Sequence, residues 1–341
     1  MDIALFVKKM SVRLLCVMTL GTTLAACDNA IYDGEGDCSV NYRVRFRYDY
    51  NMKYADAFAH EVKAVTLYLI DSNGKVAWQR TEEGAVLSSG EYTMTVDVKP
   101  GKYDLLAWCG TKEKGSFAIP ETSEGKELTC TLQREHDTGG VAFVNKDIDR
   151  LFYGWLPEQD FAETEGTYTY TVPLVKNTNS IRVVLQHLSG EPVDKDKFEF
   201  SISDKNGYMN WDNTLLPDES LTYYAWHTEH GTASIGESET TKRISSFSAA
   251  IAELTVARLM EDADTRLTVR NRESGEVVLS IPLIDYALLV KGFYNKEMGN
   301  QEFLDRQDEY SLVFFLDEGD RWMDTYIYIN SWKLVLSNAD L

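Results

Sequence analysis

From Val40 the chain alternates strictly, with Val40, Tyr42, Val44, Phe46 and Tyr48 on one face and Asn41, Arg43, Arg45 and Arg47 on the other. Successive side chains of an extended chain point to opposite faces, so this period predicts a half-buried strand. Its arginines then face solvent, where abundant carboxylates make surface ion pairing a better reading than a basic binding patch. Val65, Leu67 and Leu69 alternate into Asp71-Ser72-Asn73-Gly74, and Lys75 to Arg80 returns. Asn-Gly tolerates positive φ, so this is a predicted hairpin. The alternation resumes in Tyr92 to Val98, in Tyr103 to Cys109 after the turn Pro100-Gly101, in Glu127 to Gln133, in Leu151 to Trp155 and in Tyr168 to Val175. Short strands between turn residues, with no long helix among them, predict an antiparallel sandwich or barrel.

Lys176-Asn177-Thr178-Asn179 interrupts the pattern, and we place a domain boundary near residue 178, giving units 40–178 and 179–341. The second unit echoes the first. Ile181, Val183 and Leu185 alternate, Phe198, Phe200 and Ile202 run into the turn Asp204-Lys205-Asn206-Gly207, and Leu267, Val269 and Val277 to Ile284 add strands across Glu273-Ser274-Gly275. A helical period emerges at Tyr286, Leu289, Val290 and Phe293, at i, i+3, i+4 and i+7. Strands are expected again at Tyr310 to Leu316 and Tyr326 to Leu336. The expected fold is all-β, two sandwiches in tandem with one short helix in the second.

Ahead of the first strand lies a different kind of segment. Lys8, Lys9 and Arg13 precede an apolar run from Leu14 to Leu24, and Leu24-Ala25-Ala26-Cys27 matches the lipobox of bacterial lipoprotein signals. Residues 1–26 are therefore expected to be a signal peptide cut between Ala26 and Cys27. Cys27 would carry a diacylglyceryl thioether and an acylated amine, since several acyl chains give lasting membrane attachment where one does not. Residues 27–39 would be a tether. Its acids Asp33, Glu35 and Asp37 alternate like half a calcium loop, but the residues that follow lack the remaining oxygen ligands.

The 341 residues carry a net charge of −20, and loss of the basic leader would make the mature chain more acidic still. Such a surface argues against nucleic acid as a partner and against electrostatic adhesion to anionic lipid, leaving the acyl chains as the attachment. With Cys27 lipidated, at most one disulfide can form among Cys38, Cys109 and Cys130 in an exported chain, with the pair left open and buried free thiols the equal alternative.

No catalytic set emerges, and no cofactor or metal is implied. His227-Thr228-Glu229-His230 is one residue short of a zinc metallopeptidase motif and sits in strand-like surroundings. Gly110 to Ser116 has the glycine interval of a phosphate loop without the lysine before its hydroxyl residue. Seven tryptophans and nineteen tyrosines could stack on sugars, yet alternation already assigns most aromatics to sandwich cores.

Several pieces, in order, carry a family resemblance: the lipobox at Cys27, Tyr48-Asp49-Tyr50-Asn51-Met52 with Ala55-Asp56-Ala57-Phe58, Leu67 to Asp71 before Gly74, Ala107-Trp108, and Phe152-Tyr153-Gly154. Gln301 to Tyr310, Phe314-Phe315-Leu316 and Ile329-Asn330-Ser331-Trp332 complete the set. Across nearly its whole length the chain resembles the FimB-type fimbrial anchor and accessory lipoproteins of Bacteroidia, transthyretin-like pilins of type V pili. The resemblance implies two transthyretin-like Greek-key sandwiches and a non-enzymatic role at the pilus base. There a subunit held in the outer membrane by its lipid would join a fimbrial shaft subunit by strand donation, face outward and end growth. It also implies that the N-terminal strand, here Val40 to Tyr48, is retained. Accessory or tip paralogues share these features, so a glycan or host-surface ligand is the alternative.

Overall fold

The structure, a computed structural model, describes residues 39–233, 247–292, 296–323, 326–330 and 332–335. Ala26, Cys27 and Cys38 lie outside them. The first half supplies β1 (Val40–Arg47), β2 (Ala64–Asp71), β3 (Val76–Glu83), β4 (Met94–Val96), β5 (Gly101–Cys109), β6 (Phe117–Ala118), β7 (Cys130–Leu132), β8 (Glu135–His136), β9 (Ala142–Val144), β10 (Phe152–Phe161) and β11 (Gly166–Lys176). The second supplies β12 (Thr178–His187), β13 (Phe198–Asp204), β14 (Tyr208–Met209), β15 (Leu221–Tyr224), β16 (His227–Ala233), β17 (Phe247–Ala257), β18 (Arg266–Asn271), β19 (Val277–Pro282), β20 (Glu309–Leu316), β21 (Tyr326–Ile329) and β22 (Trp332–Val335).

Seven strands of the first half form one sheet in the order β3-β2-β5-β10-β11-β1-β4. It folds around a core that includes Val44, Phe46, Tyr48, Leu67, Leu69, Leu105, Phe152 and Val172. Its opposite face carries Tyr68, Leu106, Trp108 and Tyr153 into a second, larger core shared with the other half. Ala64 to Ile70 are therefore buried on both faces, which explains their nearly unbroken apolar run: a strand with two covered faces needs no polar alternation.

The second half packs two six-stranded sheets face to face, β16-β17-β12-β20-β21-β22 and β19-β18-β13-β15-β9-β8. Ile181, Val183, Leu254, Leu312 and Phe314 of one meet Phe198, Phe200, Tyr223, Leu267 and Val269 of the other. The halves repeat one device. β1 runs parallel to β11 over eight residue pairs, Val40↔Gly166 to Arg47↔Pro173, and β12 runs parallel to β20 over eight, Ser180↔Glu309 to His187↔Leu316. In each half the first strand returns to lie beside a late one.

Several segments differ from their expected form. β8 and β9 lie before residue 178, yet β9 pairs in parallel with β15, and β7 pairs with β14; the halves are thus stitched by strands as well as packed. Glu127 to Gln133 begins as a 3-10 turn, Gly125–Glu127, before β7. The predicted helix is Leu283–Leu289, starting at Pro282 and ending before Phe293, which falls outside the described residues. A second helix, Asn300–Arg306, and a one-turn helix, Phe58–Glu61, accompany it. The last expected strand is a tight hairpin, β21 and β22, with Asn330 at φ +48°; Asn tolerates that left-handed conformation.

Cys109 and Cys130 are free, buried thiols. Cys109 belongs to the core of the seven-stranded sheet and Cys130 to the core shared with the second half, so these two thiols stand apart in separate cores; pairings that involve Cys38 lie outside the described residues. Burial raises both thiol pKa values, so the inert free thiol is the form the fold favours.

Candidate functional site

β1 is an integral strand of the sheet. Tyr42, Val44, Phe46 and Tyr48 are buried, while Arg43, Arg45 and Arg47 are exposed, and Arg47 pairs with Asp49 at 2.6 Å. Each buried aromatic among them finds an aromatic neighbour. Tyr42 packs on Phe161 with ring centroids 4.8 Å apart and donates its hydroxyl to the Ala162 carbonyl at 2.6 Å. Phe46 stacks with Phe58 at 5.7 Å, and Tyr48 meets Phe152 edge-on at 5.0 Å. At about 1.5–3 kcal/mol per fully buried large side chain, these contacts alone hold the strand with on the order of 6–12 kcal/mol before entropy is counted. On its other side β1 pairs with β4 over only Tyr42↔Val96 to Val44↔Met94.

The chain leaving β1 folds into a loop by its own polar side chains. Asp56 accepts from the backbone N–H of Tyr48 at 3.0 Å and of Phe58 at 3.1 Å. Asn51 donates to the carbonyls of Tyr48 and Ala55 at 3.1 and 2.9 Å. The loop so fixed reaches the second half. Met52 N–H donates to the Arg306 carbonyl at 3.2 Å, and the Arg306 guanidinium lies over the rings of Tyr50 and Tyr54, 3.8 and 5.0 Å from their centroids.

Two ion clusters, each built on a nearly buried cation, flank this contact. Arg258 grips Asp305 with two hydrogen bonds of 2.8 Å and donates to the Asn213 carbonyl at 2.6 Å, while Asn213 pairs with Asn177. Lys176, at the end of β11, donates to Glu61 at 2.7 Å and to Asp308 at 2.5 Å. Charges withdrawn from water persist only when paired and hydrogen-bonded, and both clusters meet that condition. The segments Tyr48 to Phe58, Phe152 to Gly154 and Gln301 to Tyr310, scattered along the sequence, thus converge on one junction.

The remaining sequence candidates do not converge. His227 and His230 lie three apart in β16, so the strand period turns them to opposite faces; His227 stands beside Glu229 at 3.7 Å. No group of three metal-ligating side chains occurs among the described residues. Gly110 to Ser116 closes on Asp149, which accepts from Ser116 N–H at 2.8 Å and pairs with Lys112 at 2.7 Å. Lys176, Glu61 and Arg258 were missed from sequence, because nothing local marks a side chain whose partners are distant along the chain.

Comparison with known proteins settles the family. The family model for fimbrillin-A associated anchor proteins Mfa1 and Mfa2 matches residues 35–338. The chain belongs to this fimbrial anchor family. A candidate adhesin from Bacteroides thetaiotaomicron is 36% identical, covering 89% of this chain and all of its own, with a TM-score of 0.77. A candidate polysaccharide-binding protein from the same species is 32% identical over 89% of this chain and 100% of its own, with a TM-score of 0.75. The fimbrial anchor protein Mfa2 of Porphyromonas gingivalis shares the fold at 18% identity, covering 87% of this chain and 99% of its own, with a TM-score of 0.63. No curated protein matches. The fimbrial anchor family expected from the ordered motifs is the one found, and its character is structural rather than enzymatic.

Proposed function

We propose that the protein is the lipid-held base of a fimbrium, fixed to the outer membrane through Cys27, facing outward and joined to a shaft subunit by strand pairing. The observation that carries this reading is the seat of β1. It starts at Val40, about a dozen residues after Cys27, and is locked into the sheet by eight parallel residue pairs and a row of buried aromatics. A sheet position already filled by the chain's own strand offers no vacancy to an incoming one, while an open edge elsewhere can still accept one. Shaft growth would therefore stop at this subunit. The locked junction gives a second support, since a base that bears the load of a fibre needs two halves that do not swing.

The test of attachment is metabolic labelling with a fatty acid. The native protein should take up label and fractionate with outer membrane, and Cys27→Ala should do neither. Equal labelling of both would sink the lipid attachment.

The alternative is an adhesive or glycan-binding accessory subunit. One observation favours it: Trp226 is 39% exposed, with its ring 5.7 Å from that of His227 on the edge strand β16. Retention of the purified protein on an immobilised-polysaccharide gel, abolished by Trp226→Ala, would support that reading; passage without retardation would remove it.

A further inference from the structure

Lys176, Glu61 and Asp308 form an arrangement that charge balance alone does not require. One carboxylate neutralises one ammonium, yet two approach Lys176 Nζ, at 2.7 and 2.5 Å. The lysine side chain is 7% exposed and its Nζ lies 5.9 Å from the centroid of the Phe152 ring. Two further phenols belong to the same environment. The hydroxyls of Tyr48 and Tyr310 are buried without a hydrogen-bond partner among the described residues. Burial first, and then the Asp308 charge, raise the pKa of both, so each stays a neutral donor. The site thus combines a buried amine, an acyl carbon and a second carboxylate, with two unused hydroxyls in the same environment.

We propose that Lys176 and Asp308 condense into an intramolecular amide that ties the first half covalently to the second. An Nζ–Oδ2 contact of 2.5 Å places Nζ at about the 3–3.5 Å separation from Cγ at which held groups react. The bond Nζ–Cγ forms and one Cγ–Oδ bond of Asp308 breaks. Two of the three ammonium protons leave with that oxygen as water, and the third stays on the amide nitrogen. Glu61, in contact with Nζ, takes each departing proton and passes it to the leaving oxygen, ending as it began. Nothing is oxidised or reduced, and no co-reactant enters. Exclusion of water from the buried lysine, whose Nζ lies 5.9 Å from the Phe152 ring centroid, favours the condensed side of the equilibrium.

The product would close a loop between residues 132 positions apart, from the end of β11 to the start of β20, across the junction that a fibre's pull would load. The experiment is an intact mass of the denatured native protein beside Lys176→Arg, which keeps a cation at the site but lacks a nucleophilic amine. The expected result is a native protein lighter by one water than its processed, acylated chain would weigh, a variant at the full mass of its own processed chain, and a branched peptide joining the two residues after proteolysis. Native protein at full mass, with Lys176 and Asp308 in separate unmodified peptides, would overturn the proposal. Glu61→Gln separates the roles: a full-mass product assigns the proton relay to Glu61, and complete condensation in that variant would overturn the relay.

Discussion

The Arg306 guanidinium lies 3.8 Å from the centroid of the Tyr50 ring, a contact between the loop that follows the first strand and the helix that precedes β20. It is held from the other side by Glu302 at 2.8 Å. Arg306→Ala should lower stability by about 1–2 kcal/mol, the worth of a largely desolvated cation–π contact. Arg306→Lys should recover only part, because an ammonium cannot stack flat on the ring. Denaturant midpoints of the three proteins check this.

Arg258 and Asp305 are a pair to be judged together. Asp305→Ala leaves the guanidinium without its two-pronged partner in a site where both side chains are nearly buried. A loss of about 3–5 kcal/mol is expected for breaking such a pair. The double variant Arg258→Ala with Asp305→Ala should cost less than the sum of the single ones, since it strands no charge. A double-mutant cycle by chemical unfolding reads the difference.

Gly154 has a steric role within Phe152-Tyr153-Gly154. A Cβ there would stand 2.6 Å from Val172 Cγ1 and 2.7 Å from Leu174 Cδ2, both buried on β11. Gly154→Ala should destabilise by about 1–3 kcal/mol through overpacking, seen as a lower thermal midpoint.

Acid should weaken the fold through specific carboxylates. Burial alone would raise Asp149, but the Lys112 ammonium and Ser116 N–H reverse this and hold its pKa below the usual value. Backbone N–H groups of Lys75 and Arg321 do the same for Asp71 and Asp317. A carboxyl depressed in the folded state contributes stability that is complete above its unfolded value, about 3.9, and is lost as pH falls through the folded pKa. The thermal midpoint should therefore hold from neutrality to about pH 5 and fall below about pH 4, and Asp149→Asn should shrink that fall.

Much of the fold was legible because period-2 alternation is a local signal. The hairpin of β2 and β3 turned at Asn73-Gly74 as expected, and Val40 to Tyr48 showed which side chains would be buried. The illegible parts lacked either length or locality. β8 and β9, of two and three residues, are too short to display a period, so their pairing across the halves was hidden. The motifs of the junction were visible as an ordered series, whereas their meeting was not, because Lys176 and Asp308 stand 132 positions apart along the chain.

The account's central claim is tested most directly by deleting the gene and imaging the fimbriae, on cells and in the medium. Detached, longer fibres are predicted, restored to cell-bound and normal length by the native gene and not by Cys27→Ala. Fibres that stay on the cell at their usual length in the deletion strain would contradict it.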